Sequence, residues 1–505
     1  MKGGDKAAVR IAMTVAERGE LEGVLGNVLR EEHLNSDAPN VKIDNLSGKI
    51  RPNLRLGADL SILRPLVSHE DVSSAGVKLH GGGFILEPQQ FKRLEKSETN
   101  KKFVFEYRNG RDLTNRPRGV KVIDLFGHNI ELVRDNSPEI YQHILENVKP
   151  SREQNNREHY RKYWYLFGEP RANIRPLLKN LVQYIATVET SKHRFFQFLG
   201  ASIKPDNRLI VFAMDEGKCL SVLCSRIHVN WSLSLGGTLE DRPVYTKSKI
   251  FDPFPFPACV TEDSHSVLCD SLSDLGIRLD GHRKTVMQRH DHLTMTGMYN
   301  VLERVRELDA GIGDPLSPSE KDVYDTALIG ILKEIHDDID RATLEAYGWS
   351  DLGTALIGKV GATLPSPHKS PEQESAEEEL LSRLVALNIE RREEERTGKV
   401  RWLRPDYQIP KLGHKVKAET KDMDVAPVII DDAPAWPKDG LDQIKVVREL
   451  LARSEAPVLP DAVSATFKGR NSPKRKTRVV DVLETLVATG LVRKTEDKQT
   501  YFISK

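Results

Sequence analysis

Cations and flat rings alternate between Tyr163 and Pro257. Arg171, Arg175, Lys192, His193, Arg194, Arg226, Arg242, Lys247 and Lys249 lie among Tyr163, Trp164, Tyr165, Phe195, Phe196, Phe198 and Trp231. A surface that grips phosphates and positions bases needs both kinds of group. The plainer reading of the same residues is a β-rich core edged by ordinary surface charge. Upstream, Arg108 and Arg111 flank Asn109-Gly110, a hairpin-turn signal, and Arg116 follows. A loop of this kind presents Arg and Asn either to a nucleic acid or to solvent.

The order of the segments resembles a known family. Trp164 with Gly168-Glu169-Pro170-Arg171 is followed by Thr190-Ser191-Lys192-His193-Arg194-Phe195-Phe196. Ser225-Arg226-Ile227-His228-Val229 with Trp231, and then Lys249-Ile250-Phe251-Asp252-Pro253-Phe254-Pro255-Phe256-Pro257, complete the set. This order is similar to the target-recognition part of large S-adenosylmethionine (SAM)-dependent DNA adenine-N6 methyltransferases. These include the type IIL (MmeI-like) restriction-modification class and related phage-defence methyltransferases. Outlying matches at Gly57-Ala58-Asp59, Gly76 to Gly81, Asn109 to Gly119, Thr294 to Leu302 and Val400 to Gln408 extend the resemblance from about Ala7 to about Pro410.

The resemblance implies double-stranded DNA as partner and SAM as cofactor. It marks Arg108, Arg111, Arg116, Arg171, Lys192, His193, Arg194, Arg226, Lys247 and Lys249 as candidate DNA contacts. Two chemical devices of the family are missing from the sequence. No Asp/Asn/Ser-Pro-Pro-Tyr/Phe tetrapeptide occurs, and Asp252-Pro253-Phe254-Pro255 has its second proline displaced. No Gly-x-Gly loop follows an early strand. No catalytic or cofactor-binding residue is therefore assigned: either the chain is the specificity half of a split enzyme, with a partner methyltransferase chain expected to bind SAM, or its gene has lost its front end. Two other readings stand beside this one: a free-standing winged-helix DNA-binding protein, and a complete methyltransferase with an unrecognised SAM site.

The elements that would carry these residues exceed one core. A chain of 505 residues implies three or four domains. The expected class is α+β multidomain. Ala7–Val15 reads as a strand; the resemblance implies that it opens a remnant of a methyltransferase α/β sheet and connector over 1–100, and the plainer alternative is an edge strand of the next domain. Leu21–Glu32 has apolar residues at helical or mixed spacing, and Gly81-Gly82-Gly83 reads as a tight turn. A mixed α/β target-recognition domain follows over 101–285, and then a helical region over 286–410. In that region Ser317-Pro318-Ser319-Glu320 starts one helix ending at Gly348, with His336 and Asp337, Asp338 and Asp340 on a solvated face. Pro365–Ser375 reads as a loop before a charged helix from Ala376 to Arg396.

A polar linker is expected over 411–439. The last segment, 440–505, reads as three helices and a two-strand wing turning at Glu496-Asp497-Lys498, a winged helix-turn-helix. Lys474, Arg475, Lys476 and Arg478 open its third helix, and Lys474, Arg475 and Arg478 join the candidate DNA contacts.

Net charge is +1, so any DNA-binding face must come from local segregation of charge. Cys219, Cys224, Cys259 and Cys269 have no paired Cys-x-x-Cys spacing and read as small core residues in a reducing compartment. His282, His290 and His292 have weak metal spacing, so no metal is assigned. No apolar run reaches membrane length, and the expected location is a bacterial cytoplasm, near the nucleoid.

Overall fold

Tyr184, Ile185, Ala186 and Val188 are all buried, so the strand Gln183–Val188 is covered on both faces. It lies inside a four-stranded antiparallel sheet ordered Ser73–Ala75, Leu209–Phe212, Gln183–Val188, Gln197–Gly200. A continuous apolar run such as Leu209–Phe212 is what such a strand requires. The computed structural model describes residues 14–15, 23–32, 40–48, 50, 57–94, 96–261, 266–413, 435–437, 439–454, 458–468, 472–495 and 500–503. They fall into two units, Met1–Glu419 and Thr420–Lys505.

The helix Val267–Arg289 closes one edge of this sheet. Asp280 accepts the Phe198 N–H at 3.1 Å, Lys284 donates to the Phe198 carbonyl at 2.8 Å, and Arg283 donates to the Phe196 carbonyl at 2.7 Å. Charged side chains thus take up backbone groups that an open edge would leave free. The helix also packs backbone to backbone on Gly217–Cys224. A Cβ on Gly276 would sit 2.1 Å from the Gly217 carbonyl oxygen, and one on Gly217 would sit 2.0 Å from that of Ser273. Only glycine permits this approach.

A second four-stranded sheet runs Ile85–Leu86, Lys121–Ile123, Val104–Arg108, Lys204–Pro205. Its core holds Phe84, Phe103, Tyr107, Val122, Ile140 and Ile144, the last two from the helix Pro138–Asn147. The strand Ser73–Ala75 belongs to the first sheet, so that sheet begins well ahead of residue 101.

Several expectations change. Leu21–Glu32 is not helical: Gly23–Glu32 is a strand paired antiparallel with Asn40–Gly48. Gly23 and Gly26 weaken a helix, and the β-branched Val28 gains a cross-strand partner in Ile43. The expected strand at Ala7–Val15 lies outside the described residues except for Thr14 and Val15. Gly81, at φ +133°, leads into a short 3₁₀ turn at Gly82–Phe84. The loop at Pro365–Ser375 is shorter than expected, because Ser370 caps a helix that runs Pro371–Arg396.

The capping box at Ser317 and Glu320 forms, but the helix it starts stops at Thr326. Leu328 turns left-handed at φ +50°, and a new helix runs Ile329–Tyr347. His282 Nε2 lies 3.0 Å from the Ala327 carbonyl, a side-chain partner at the break. Leu328 is 45% exposed, so its side chain anchors little. Leu328→Gly is expected to raise stability by about 1 kcal/mol by removing the left-handed penalty. Urea unfolding midpoints of the two proteins test this.

In the second unit, Gly440–Arg453, Pro460–Ala465 and Pro473–Ala488 enclose Val447, Leu451, Val463, Phe467, Val479 and Leu483. Arg493–Lys494 pairs antiparallel with Tyr501–Phe502. The expected turn at Glu496-Asp497-Lys498 and most of the expected linker lie outside the described residues.

Candidate nucleic-acid interface

The strand Val104–Arg108 ends at Asn109, which starts the helix Gly110–Thr114 instead of turning a hairpin. The Asn109 side chain accepts from the N–H groups of Arg111 and Asp112, and Asp112 accepts the Asn109 N–H at 2.9 Å. Asp112 also receives two side-chain hydrogen bonds from Arg118, each 2.9 Å. Burial alone would raise the Asp112 carboxyl, but Arg118 and the backbone N–H groups of Asn109 and Arg118 hold it below the usual range. This cap fixes three candidate cations close together. Arg111 is exposed on the helix. Arg108 is half-buried beside Glu106 at 2.9 Å. Arg116 donates to the carbonyls of Met287 at 2.6 Å and His290 at 2.7 Å, and pairs with Asp291 at 3.0 Å. Lys284 joins them; the sequence offered only its i,i+4 relation to Asp280 as a signal.

The segment Lys192-His193-Arg194 divides. Lys192 is exposed and donates to Asn300 at 2.7 Å. His193 is buried between Thr363 Oγ1 at 2.9 Å and Asn300 Oδ1 at 2.8 Å, and burial lowers its pKa. Arg194 is buried too, with its guanidinium spent on Thr187 Oγ1 and the carbonyls of Val188 and Pro243. Burial pulls it down to about 10. His193 and Arg194 are thus internal scaffold residues and not surface contacts.

Arg226 is corrected in the same way. It is 3% exposed, and its backbone N–H donates to Asp340 Oδ1 at 2.7 Å. Its guanidinium donates to the carbonyls of Lys359 and Val360, with Asp340 and Glu377 within 4 Å. The expected solvated face of His336 and Asp340 is therefore internal. His336 Nε2 meets Tyr299 Oη at 2.9 Å, and Arg306 joins Glu303 at 3.1 Å to Asp337 at 3.3 Å. Asp338 alone of this set faces solvent, paired with Arg341. Around His282, His290 and His292, and elsewhere among the described residues, no three His, Cys, Asp or Glu side chains converge as a metal site.

Residues 63–258 match the family model described as MmeI, target recognition domain. This segment is an MmeI-like target-recognition domain. A solved structure, "Structure of Type IIL restriction-modification enzyme MmeI in complex with DNA has implications for engineering of new specificities", aligns with TM-score 0.48 and 16% identity. The alignment covers 73% of this chain and 41% of that one, so the chain spans about two-fifths of that enzyme's length. No curated protein matches.

Within the MmeI-like domain the remaining candidates are dispersed. Lys249 is exposed, whereas Lys247 holds both Asp252 oxygens at 2.9 Å. Arg171 adopts φ +49° and pairs with Glu169 at 2.8 Å. Most of the domain's aromatics build its core, as the plainer sequence reading held. Trp231 donates to the Ile250 carbonyl at 2.8 Å, and Phe251, Phe254 and Phe256 are buried. All four cysteines are free and buried.

Two imidazoles sit among those phenyl rings. His228 meets Phe254 edge-on at 4.4 Å between centroids, and His69 meets Phe251 at 4.9 Å. Burial pushes both pKa values down to about 3. Unfolded histidine titrates near 6.5. Between these values the unfolded chain takes up protons that the fold refuses, so stability is full above about pH 6.5 and falls as pH drops toward 3. His228→Gln is expected to reduce the loss between about pH 7 and pH 5 by about 2 kcal/mol. Urea titrations at the two pH values measure it.

In the second unit, Lys474 is exposed at the start of Pro473–Ala488. Arg478 reaches Gln443 at 2.9 Å. Arg475 is corrected: it is buried and donates to the carbonyls of Phe467 and Lys468, closing the unit's core.

Proposed function

We propose that this chain is the DNA-recognition part of a site-specific, SAM-dependent DNA adenine-N6 methyltransferase of a restriction-modification or phage-defence system. The observation that carries the reading is the match of residues 63–258 to the MmeI target recognition domain. Its exposed and half-buried cations, Arg108, Arg111, Arg116, Lys192 and Lys249, would hold phosphates and leave base edges to neighbouring groups. The residues ahead of 63 would connect to catalytic machinery, and 286–410 would brace the recognition domain. Residues 440–505, three helices and a short strand pair, would act as a winged-helix unit with Lys474 and Arg478 toward DNA.

Among the described residues no arrangement fits SAM. Parallel pairing between the strands of the two four-stranded sheets is limited to Tyr107–Lys204 and Arg108–Pro205, and the strand Val104–Arg108 passes through Asn109 into a five-residue helix at Gly110 with no Gly-x-Gly loop to cradle the cofactor. Methyl transfer is therefore placed outside the described residues, with a partner chain as the carrier we expect. No helix among the described residues is long and apolar enough to cross a membrane.

The test is duplex binding and methyl transfer by the purified full chain. Salt-sensitive duplex binding without methyl transfer is the expected result. Absence of duplex binding refutes the reading, and methylation by the chain alone refutes the partner. A chain ending at 419 is expected to keep duplex binding; its complete loss would move recognition to the second unit.

A further inference from the structure

A cavity of about 480 Å³ opens between the helix Gly110–Thr114, the strand Gln197–Gly200 and the helix Val267–Arg289. Its volume suits a small organic ligand. Leu113, Phe198, Met287 and Met295 give it apolar walls. Arg108, Arg116 and Lys284 stand in its lining. Gln197 is 8% exposed, and its Nε2 is buried with no hydrogen-bond partner among the described residues. A buried amide donor without an acceptor costs about 1–3 kcal/mol, so a turn of the Gln197 amide that brings it to an acceptor in the cavity is favourable.

We propose that this cavity binds a single nucleotide. The apolar walls of Leu113, Phe198, Met287 and Met295 take the base by dispersion. The Gln197 amide offers both a donor and an acceptor, the pairing that reads a base edge. Arg108, Arg116 and Lys284 meet the phosphate. Their charges are partly balanced by Glu106, Asp291 and Asp280, and Asp112 in the lining is already held by Arg118. The site therefore suits one phosphate better than a polyphosphate. The nucleotide is either free or extruded from a DNA strand; the second source rests on the DNA-recognition reading.

The test titrates the four deoxynucleoside 5′-monophosphates into the full chain, followed by saturation-transfer NMR, with a mixed-sequence duplex measured in parallel by anisotropy. At least one monophosphate is expected to bind, and Gln197→Leu to weaken it by about tenfold while the circular dichroism stays unchanged. Arg108→Gln is expected to weaken the same ligand. If binding of that monophosphate also lowers duplex affinity, the source is an extruded base; if duplex affinity is indifferent, it is a free nucleotide. No monophosphate binding, or equal binding by folded Gln197→Leu, overturns the proposal. Duplex binding that persists in that case leaves the DNA reading standing, whereas monophosphate binding without any duplex binding refutes only the DNA reading.

Discussion

Asp340→Ala is expected to destabilise the first unit by about 3 kcal/mol or more, the usual cost of stranding a buried charge. Asp340 is 3% exposed and accepts the Arg226 backbone N–H at 2.7 Å, with the Arg226 Nε 3.8 Å from its other oxygen. Removing it leaves the guanidinium with Glu377, at 3.9 Å, as its remaining acidic neighbour and with Arg306 nearby, whose own partners are Glu303 and Asp337. Burial pushes the Asp340 carboxyl up to about 6 despite these cations, so desolvation is the largest influence on it. Asp340→Asn keeps an acceptor for the N–H and is expected to cost about half as much. Arg226→Met combined with Asp340→Ala is expected to recover part of the loss, because both desolvation costs disappear together. Recovery stays incomplete, since the Lys359 and Val360 carbonyls lose their donor. Urea unfolding followed by tryptophan fluorescence measures all three. An Asp340→Ala protein as stable as wild type would show that the network is not held by this pair.

The second large effect concerns DNA. Arg111, Lys192 and Lys249 are the exposed candidate cations of the MmeI-like domain. Replacing all three with Gln is expected to weaken duplex binding by at least about tenfold and to reduce the log–log salt slope by up to about 2.7, roughly 0.9 for each phosphate that is no longer neutralised. Arg194→Gln is expected to behave differently. Its hydrogen bonds to Val188 and Pro243 hold the sheet, so stability falls while the salt slope of the remaining folded protein is kept. Anisotropy titrations from low to physiological salt distinguish the two. Unchanged affinity and slope in the triple variant would remove these residues from the interface.

The amino-acid order alone determined the domain type, because spaced segments such as Lys192-His193-Arg194 and Phe251-Asp252-Pro253-Phe254 carry it without coordinates. Local signals also survived. The Ser317–Glu320 capping box and the left-handed Gly348 cap depend on hydrogen bonds within a few residues, which sequence displays directly. Tertiary structure decided which cations are free. Arg194 and Lys192 are two residues apart, yet one is spent on the sheet and the other faces water. Arg226 and Asp340 are far apart in sequence, so no local pattern announces that each buries the other's charge. The cavity at Gln197 likewise needs three elements brought together from residues 108–117, 197–203 and 284–295. Charge in a sequence names a capacity for contact; desolvation by distant segments decides whether that capacity is used inside the fold or at its surface.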